Sequence, residues 1–333
     1  MIPSTVTVIV VNWNGGAFLD ECLVRLRQQS LLPARILVMD NGSTDGSAER
    51  AQQVQGVTVR MLGANLGFAV ANNRALDECD TDLVALLNPD AFPDPDWLMR
   101  LVSAARTYPD VAVFGSRQMV HGVPATLDGI GDVYHISGLV WRDGHSRAKC
   151  TADDVAGEIF SPCACAVLYR RDALVRAGGF DEDYFCYVED IDLGFRLRLA
   201  GRTSLYVPNA VVHHVGSASS GGQHSDFSVY HGHRNLVWTF IKNMPGVLFW
   251  ALLPLHVLLN IITGAQFSMR GQGRVIWRAK RDAIKGIPRM WRKRRSIQSG
   301  RRATTSDIWR VLDKRLSYQK KTPPPPMEPF TKE

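Results

Sequence analysis

Short apolar runs rich in β-branched residues alternate with stretches in which apolar residues recur every three or four positions. The runs are typical of buried strands and cover residues 5–11, 35–39, 57–62 and 83–87. The stretches between them are typical of amphipathic helices and cover residues 17–29, 47–53 and 69–76. This alternation predicts an α/β fold, a Rossmann-like and mostly parallel sheet with helices on both faces.

Polar clusters follow each of these predicted strands. They are the segments 12–16 (NWNGG), 40–46 (DNGSTDG), 65–68 (NLGF) and 88–90 (NPD). Ligands of open parallel sheets bind at the carboxyl ends of the strands, so we expect a binding site at this edge. The first strand is not followed by Gly-x-Gly-x-x-Gly, and the chain has no Gly-Lys-Ser/Thr loop. Both absences argue against a dinucleotide dehydrogenase and a P-loop nucleotidase.

Two aspartates at these strand ends can carry binding chemistry. Asp40 can accept a hydrogen bond from uracil, thymine or a ribose hydroxyl, although an Asx turn or a helix cap explains it equally well. Asp90 follows the strongly apolar strand 83–87 and can hold a divalent cation that bridges a diphosphate. The alternative for residues 88–90 is an ordinary Asn-Pro turn.

A denser acidic cluster, Glu189, Asp190 and Asp192, opens a predicted helix. Helix capping explains one acid at such a position easily, but three poorly. Crowded carboxylates raise one another's pKa, which suits a base that must take a proton from a hydroxyl. His213 and His214 follow a strand-like segment, and one of them is a candidate metal or diphosphate contact.

The charges along the chain are divided unevenly. Residues 1–269 carry 20 Lys and Arg against 27 Asp and Glu (−7), whereas residues 270–321 carry 18 against 3 (+15). The six scattered cysteines fit reduced cytosolic thiols better than a disulfide framework. The first residues lack the pattern of a secretory signal peptide.

An uncharged apolar stretch, residues 243–269, precedes the basic segment. It is about long enough to cross a bilayer, but Pro254, His256 and Asn260 interrupt it. A single span, an interfacial or re-entrant helical hairpin and a buried helix of a soluble domain are the alternatives. The adjacent basic residues would face anionic lipid on the cytoplasmic side, so we predict membrane association rather than nucleic-acid binding.

Taken in order, the motifs resemble glycosyltransferase family 2, the inverting enzymes of GT-A fold, and in particular its bacterial rhamnosyltransferase-like subgroup. The resemblance covers roughly residues 5–220, and the segments that carry it are VIVVNWNGGAFLDECL, VMDNGSTDGS, NLGFAVANN, LLNPDA, GGFDEDYFCYVEDIDLGFRLRLAG and VVHHVGSAS. Two later segments, HGHRNLVWTFIKNMP and RKRRSIQ, are similar to the C-terminal part of the subgroup.

The resemblance implies roles for particular residues. Asp190 would be the catalytic base beside Glu189 and Asp192, and Asp90 and His214 would hold Mg²⁺ or Mn²⁺. The donor nucleotide would contact Asn12, Asn14, Asp40, Asn65, Gly67, Asn72 and Asp90. Asn88 stands where many members have aspartate, which leaves one carboxylate for the metal.

The sequence therefore predicts an inverting transfer of a sugar, with dTDP-rhamnose as the donor that the subgroup suggests. The acceptor would be a cell-envelope glycan or polyprenyl-diphosphate-linked sugar at the cytoplasmic face of the inner membrane. We expect a catalytic domain over 1–225, a basic helical region over 226–321 and a Pro-rich tail over 322–333. Oligomerisation stays open, and the alternative function is a non-catalytic nucleotide- or glycan-binding component of an envelope-assembly complex.

Overall fold

The computed structural model describes residues 5–216 and 225–315. Its strands are β1 (Val6–Asn12), β2 (Arg35–Asp40), β3 (Val57–Met61), β4 (Leu83–Leu87), β5 (Ala91–Pro93), β6 (Val111–Val120), β7 (Leu127–Gly129), β8 (Asp132–Tyr134), β9 (Val140–Arg142), β10 (Gly157–Glu158), β11 (Ala166–Arg170) and β12 (Thr203–His214). Its helices are α1 (Gly16–Arg27), α2 (Ser47–Gln52), α3 (Phe68–Asp77), α4 (Trp97–Thr107), α5 (Arg171–Arg176), α6 (Glu189–Leu199), α7 (Asp226–Asn243), α8 (Gly246–Phe267), α9 (Gly273–Ser299) and α10 (Thr305–Val311).

The main sheet has the strand order β10-β12-β6-β11-β4-β1-β2-β3. Strands β3, β2, β1 and β4 pair in parallel, as predicted. Strand β11 lies antiparallel between β4 and β6, whereas β6 and β12 pair in parallel. The fold class is therefore confirmed. The sheet is mixed rather than parallel throughout, because β11 reaches the sheet from the opposite direction.

Both faces of the sheet are covered, because successive strand side chains point to opposite faces. On one face Val8 and Val10 pack with Leu23 of α1 and with residues of α2 and α4. On the other face Ile9 packs with residues of α3, α5 and α6. This packing does not cover the carboxyl ends of the parallel strands. The predicted site residues lie at these ends.

The C-terminal helices share a core with the part of the chain that precedes them. Helix α7 begins at Asp226, next to the predicted boundary, yet one hydrophobic cluster joins Phe195 of α6 to Trp238 of α7 and Met290 of α9. The division into domains stays a prediction, and the predicted tail 322–333 lies outside the described residues. Each cysteine is a free thiol, as expected.

Helices α8 and α9 form a hairpin. A π-helical turn over 268–272, with Gly271 at φ 84°, reverses the chain between them. The helices then run side by side, with Gly264 against the ring of Trp277 and the ring centroids of Trp250 and Trp291 6.5 Å apart. Among the described residues this is the one helical segment that is long and apolar enough to cross a membrane.

Candidate active site

A cleft of about 670 Å³ opens at the carboxyl ends of β1, β4 and β12. Of the residues predicted from the sequence, it brings together Asn65, Gly67, Asp90, Glu189, Asp190 and His214. The others, Asn12, Asn14, Asp40, Asn72 and Asp192, are not among its lining residues. Most of the residues predicted for catalysis and for the metal therefore face one cavity.

The pairing of two strands brings Asp90 next to His214. Strand β5 runs antiparallel to the end of β12, so that Ala91 is the register partner of His214. His214 Nε2 lies 3.4 Å from Asp90 Oδ1, while His214 Nδ1 is 2.8 Å from Asp128 Oδ2. Burial opposes protonation of His214, yet Cys165, Asp128 and Asp90 raise the pKa of the imidazole well above its ordinary value.

Asp128 holds this histidine in place and is itself strongly paired. Arg142 Nη1 lies 2.5 Å from its Oδ2, and His145 Nδ1 lies 3.2 Å from its Oδ1. Burial favours the neutral acid, but the hydrogen bonds from His145 and His214 and the charge of Arg142 lower the pKa of Asp128 far below its ordinary value. Asp128 is therefore ionised, and it orients His214 toward Asp90.

The donor set of Asp90 and His214 fits a divalent cation that is shared with a diphosphate, with the cation displacing the proton from His214 Nε2, because a histidine binds a metal only in its neutral form. No group of three or more His, Cys, Asp or Glu with metal-site geometry occurs among residues 5–216 and 225–315. The described residues alone thus do not form a complete metal cage. Mg²⁺ commonly takes one or two carboxylates together with substrate phosphates and water, which is the arrangement that these residues permit.

Asp190 is held rigidly at the opening of α6. Its Oδ2 accepts a hydrogen bond from Ala164 N (3.0 Å) and its Oδ1 one from Ile191 N (2.8 Å). Burial outweighs these hydrogen bonds and raises the pKa of Asp190. For Glu189, burial and then the charge of Asp190 raise the pKa well above its ordinary value. The backbone hydrogen bonds to both oxygens of Asp190 favour its ionised form against this burial.

The third carboxylate of the cluster is Asp132 instead of Asp192. Asp132 lines the cleft, and burial followed by the charge of Asp190 raises its pKa well above its ordinary value. Asp132 Oδ2 is buried and accepts no hydrogen bond from the described residues.

Asp192 corrects a prediction made from the sequence. It lies two residues after Asp190, and positions i and i+2 of a helix face different directions. Its carboxylate lies 2.7 Å from Lys242 Nζ and 2.8 Å from Arg196 Nε. Burial opposes ionisation, but these two cations lower the pKa of Asp192 instead of raising it. Asp192 ties α6 to α7 and does not face the cleft.

Asp40 is enclosed at the end of β2. Asn12 Nδ2 donates to its Oδ1 (2.8 Å), and the backbone N–H groups of Gly42 and Ser43 donate to its Oδ2 (3.1 and 3.0 Å). Asn12 also donates to Ser43 Oγ and Ser47 Oγ, and Asn14 Oδ1 accepts from Thr44 N (2.8 Å). These contacts support the turn interpretation. A direct contact of Asp40, Asn12 or Asn14 with a nucleotide stays a prediction.

The loop after β3 meets the segment that precedes α6. Asn65 Oδ1 accepts from Gly67 N (3.0 Å), and Phe68 N donates to Phe185 O (2.7 Å). Gly67 has φ 89°, and a Cβ there would lie 2.6 Å from Phe185 O. Only glycine fits this crossing without displacing the segment. Asn72 is buried in α3, where its Nδ2 donates to Phe68 O.

Sequence reasoning missed several lining residues, among them Trp13, Asp132, Arg142 and His145. It also missed Asp128, which lies behind the cleft wall and contacts His214, Arg142 and His145. Trp13 stands between the predicted ligands Asn12 and Asn14, and an aromatic residue inside a polar cluster was the signal in the sequence. The structure leaves its ring 38% exposed. The others come from the segment between β6 and β11. It carries no motif of its own, and its contacts with β12 and α6 are made only by tertiary folding.

The comparison with protein families matches residues 7–176 to the model of Glycosyl transferase family 2. The chain belongs to this family. A curated relative, N-acetylglucosaminyl-diphospho-decaprenol L-rhamnosyltransferase of Mycobacterium tuberculosis, is 30% identical over 67% of this chain and 80% of its own length. Rhamnosyltransferase WbbL of Escherichia coli is 27% identical over 61% of this chain and 80% of its own length.

A solved structure shows the same fold. The mannosyltransferase PcManGT from Pyrobaculum calidifontis, in complex with GDP-Man and Mn²⁺, is 17% identical with a TM-score of 0.53, over 93% of this chain and 88% of its own. This family 2 glycosyltransferase is thus similar to bacterial rhamnosyltransferases and has a GT-A fold, as the sequence predicted. A divalent cation is suggested by the Mn²⁺ of such neighbours.

Proposed function

We propose that this family 2 glycosyltransferase moves a rhamnose-type sugar from a nucleoside-diphosphate donor to a polyprenyl-diphosphate-linked acceptor, with inversion at the anomeric carbon. The sugar and the acceptor follow the activity for which the mycobacterial relative is named. The nucleotide donor follows the GDP-Man bound by PcManGT. The observation that carries the proposal is the pair Asp90 and Asp190 in the wall of one cleft. One is placed to contact a diphosphate, and the other to take a proton.

Asp190 is the residue that we assign to proton transfer. The hydroxyl of the acceptor gives its proton to the Asp190 carboxylate while its oxygen bonds to the anomeric carbon. The bond from that carbon to the donor's diphosphate oxygen breaks on the opposite face, and the nucleoside diphosphate leaves with the electron pair. The two backbone N–H groups on Asp190 fix its orientation but leave lone pairs for the hydroxyl.

The leaving group would be held on the other side of the cleft. Asp90 and His214 would share a divalent cation with the diphosphate, and such a cation neutralises the charge that develops on the leaving oxygen. Asp128 keeps His214 oriented. Asp132 and Glu189, both with raised pKa values, would donate hydrogen bonds to sugar or acceptor hydroxyls.

Matched variants of the two neighbouring acids test the base assignment. Asp190→Asn should leave donor binding within about twofold and reduce kcat by about a hundredfold or more. Glu189→Gln should reduce kcat far less, because a neutral amide resembles the protonated acid. Activity of wild type should be lost as the pH falls through the raised pKa of Asp190, above the ordinary 3.8. Transfer of radiolabelled sugar to a synthetic polyprenyl-diphosphate acceptor measures the two kcat values and the pH dependence, and calorimetry with the donor measures its binding.

Two outcomes would contradict this assignment. Normal turnover of Asp190→Asn would remove Asp190 from the base role. If wild type bound the donor but neither transferred its sugar nor slowly hydrolysed it, the protein would instead be a non-catalytic nucleotide- or glycan-binding component.

The proposed acceptor also places the enzyme at a membrane. A polyprenyl chain stays in the bilayer, so a protein that modifies its diphosphate-linked sugar must work at the surface. The apolar helix and the mycobacterial relative are compatible with this location. Nucleotide-sugars are cytoplasmic, and we therefore propose the cytoplasmic face of the inner membrane, with the net charge of +15 in residues 270–321 toward anionic lipid.

A further inference from the structure

The outer side of α8 is an uninterrupted apolar surface. Its large side chains are exposed by 45 to 73% and are Val247, Trp250, Val257, Leu258, Ile261 and Ile262. Their spacing of three, four and seven residues places them along one side of the helix. The opposite side of α8 is packed into the protein through Leu248, Phe249, Leu252 and His256.

Helix α9 extends this surface and adds charge to it. Trp277, 53% exposed, lies against Gly264 of α8. Ile284, 64% exposed, follows it by seven residues and so lies on the same side of α9. Beyond them runs a row of exposed cations, Arg274, Arg281, Lys285 and Arg292, whose spacing also keeps them on one side of the helix. The α8–α9 hairpin therefore presents an apolar strip beside a basic row.

The inner side of α8 is fastened to the rest of the protein along its length. His256 Nδ1 lies 2.8 Å from Ser137 O, and its ring stacks on Phe240 with centroids 4.0 Å apart. Near the other end, Phe267 packs against His233 of α7. A helix that spanned a bilayer would have to abandon these contacts and leave its polar groups in hydrocarbon. The packed geometry instead favours a helix that lies in the plane of the surface.

We propose that the α8–α9 hairpin is a monotopic docking surface for an anionic bilayer, with the apolar strip sunk among the acyl chains and the basic row among the headgroups. This inference deepens the membrane association proposed above and commits it to one orientation. Apolar and basic surfaces in this arrangement match the two layers of a bilayer leaflet. A second copy of the chain is a poorer occupant, because it would bring two basic rows together.

The orientation also explains how a lipid-linked acceptor would reach the cleft. Leu236, His233 and Phe267 line the cleft that contains Asp190. Phe267 is the last residue of α8, so the cleft adjoins one end of the docking surface. An acceptor anchored in the leaflet can present its sugar there without leaving the membrane.

Vesicle flotation of the full chain, without any substrate, tests the docking surface separately from catalysis. Wild type should float with vesicles of phosphatidylglycerol and phosphatidylcholine, bind pure phosphatidylcholine about tenfold less, and be released at high salt or by alkaline carbonate. The double variants Val257→Asp/Ile261→Asp and Arg281→Glu/Lys285→Glu should each bind anionic vesicles at least about tenfold less. Leu32→Asp is the control, since Leu32 is 64% exposed but lies outside the hairpin.

Each other outcome is informative. Retention after carbonate extraction would overturn the in-plane orientation in favour of a span. The docking surface would be overturned if wild type failed to float, or if Leu32→Asp alone lost flotation. Concentration-dependent dimerisation of a protein that does not float would indicate that the hairpin binds a second copy of the chain. An unchanged melting temperature shows that the hairpin variants fold. Lipid binding is measured without donor or acceptor. A failure to bind lipid therefore counts against the docking surface, and a lack of transferase activity counts against the proposed function.

Discussion

Asn235 of α7 holds the backbone that delivers the acidic cluster to the cleft. The segment before α6 contains Phe185, Tyr187 and Val188 with φ values of 63°, 64° and 70°. Such conformations cost roughly 1–3 kcal/mol for each residue that is not glycine, or roughly 3–9 kcal/mol in total. The buried Asn235 Nδ2 lies 3.0, 3.0 and 2.7 Å from the carbonyl oxygens of residues 184, 186 and 187.

Asn235→Ala would remove a stabilising contribution of about the size of this strain. Each buried carbonyl left without a donor costs about 1–3 kcal/mol, so the two N–H groups of the amide account for roughly 2–6 kcal/mol. We expect the segment to relax and Asp190 to move. A displacement of about 1 Å can cost about a hundredfold in rate, so kcat should fall about 10- to 100-fold, with donor affinity changed far less.

Kinetics and amide hydrogen exchange together measure this effect. Exchange in residues 185–190 should rise in Asn235→Ala, while exchange in β1 and β4 should not. Asn73→Ala is the matched control, since Asn73 Nδ2 donates to Phe180 O and Glu182 Oε1, outside the strained residues. A variant with a lower melting temperature but unchanged kcat would refute the positioning role and leave Asn235 purely structural.

Two further predictions concern the donor. We expect the ring of Trp13 to stack on the donor base, so Trp13→Ala should weaken binding of the nucleoside diphosphate by about 1–3 kcal/mol, roughly 5- to 150-fold. Isothermal titration calorimetry measures this binding. Trp309→Ala is the control, since Trp309 is similarly exposed (40%) and its loss should have no effect. Removal of divalent cations with EDTA should weaken donor binding, and Mn²⁺ should restore it. Mn²⁺ without donor should shift the melting temperature little, because Asp90 and His214 supply only part of a coordination shell; a large shift would reveal a cage formed by the protein alone.

Local patterns were sufficient for the first four strands and the first three helices. The predicted strands and helices through residue 87 match the observed ones closely, because their periodicity and the polar residues that end them are encoded locally. Strand β11 entered the sheet in the opposite direction through contacts with β4 and β6 that are distant in sequence. Periodicity carries no information about such pairings.

The candidate site shows the same division. Asp90, Asp190 and His214 were predicted from motifs at strand and helix ends, and the structure brings them to one cleft. Asp192 was grouped with Asp190 by proximity along the chain, although the helix turns it toward Lys242. Asp132 was missed because only the folded chain places it near Asp190. Whether two side chains share a site therefore depends on the direction in which each points as much as on their separation along the chain.

Lys242 has a consequence for how the protein is assembled. This buried lysine contacts both Asp181 and Asp192, and Lys293 of α9 contacts Asp181 as well. A protein shortened at the end of β12 would leave Asp181 without these two cations and Asp192 with Arg196 in place of two cations. Breaking a buried pair in this way costs about 3–5 kcal/mol. Helix α9, one half of the hairpin that we place on the membrane, is therefore tied through Lys293 to Asp181, in the segment that leads into the helix carrying Asp190. Replacing this membrane anchor with an unrelated one would remove a cation from a largely buried carboxylate of the fold.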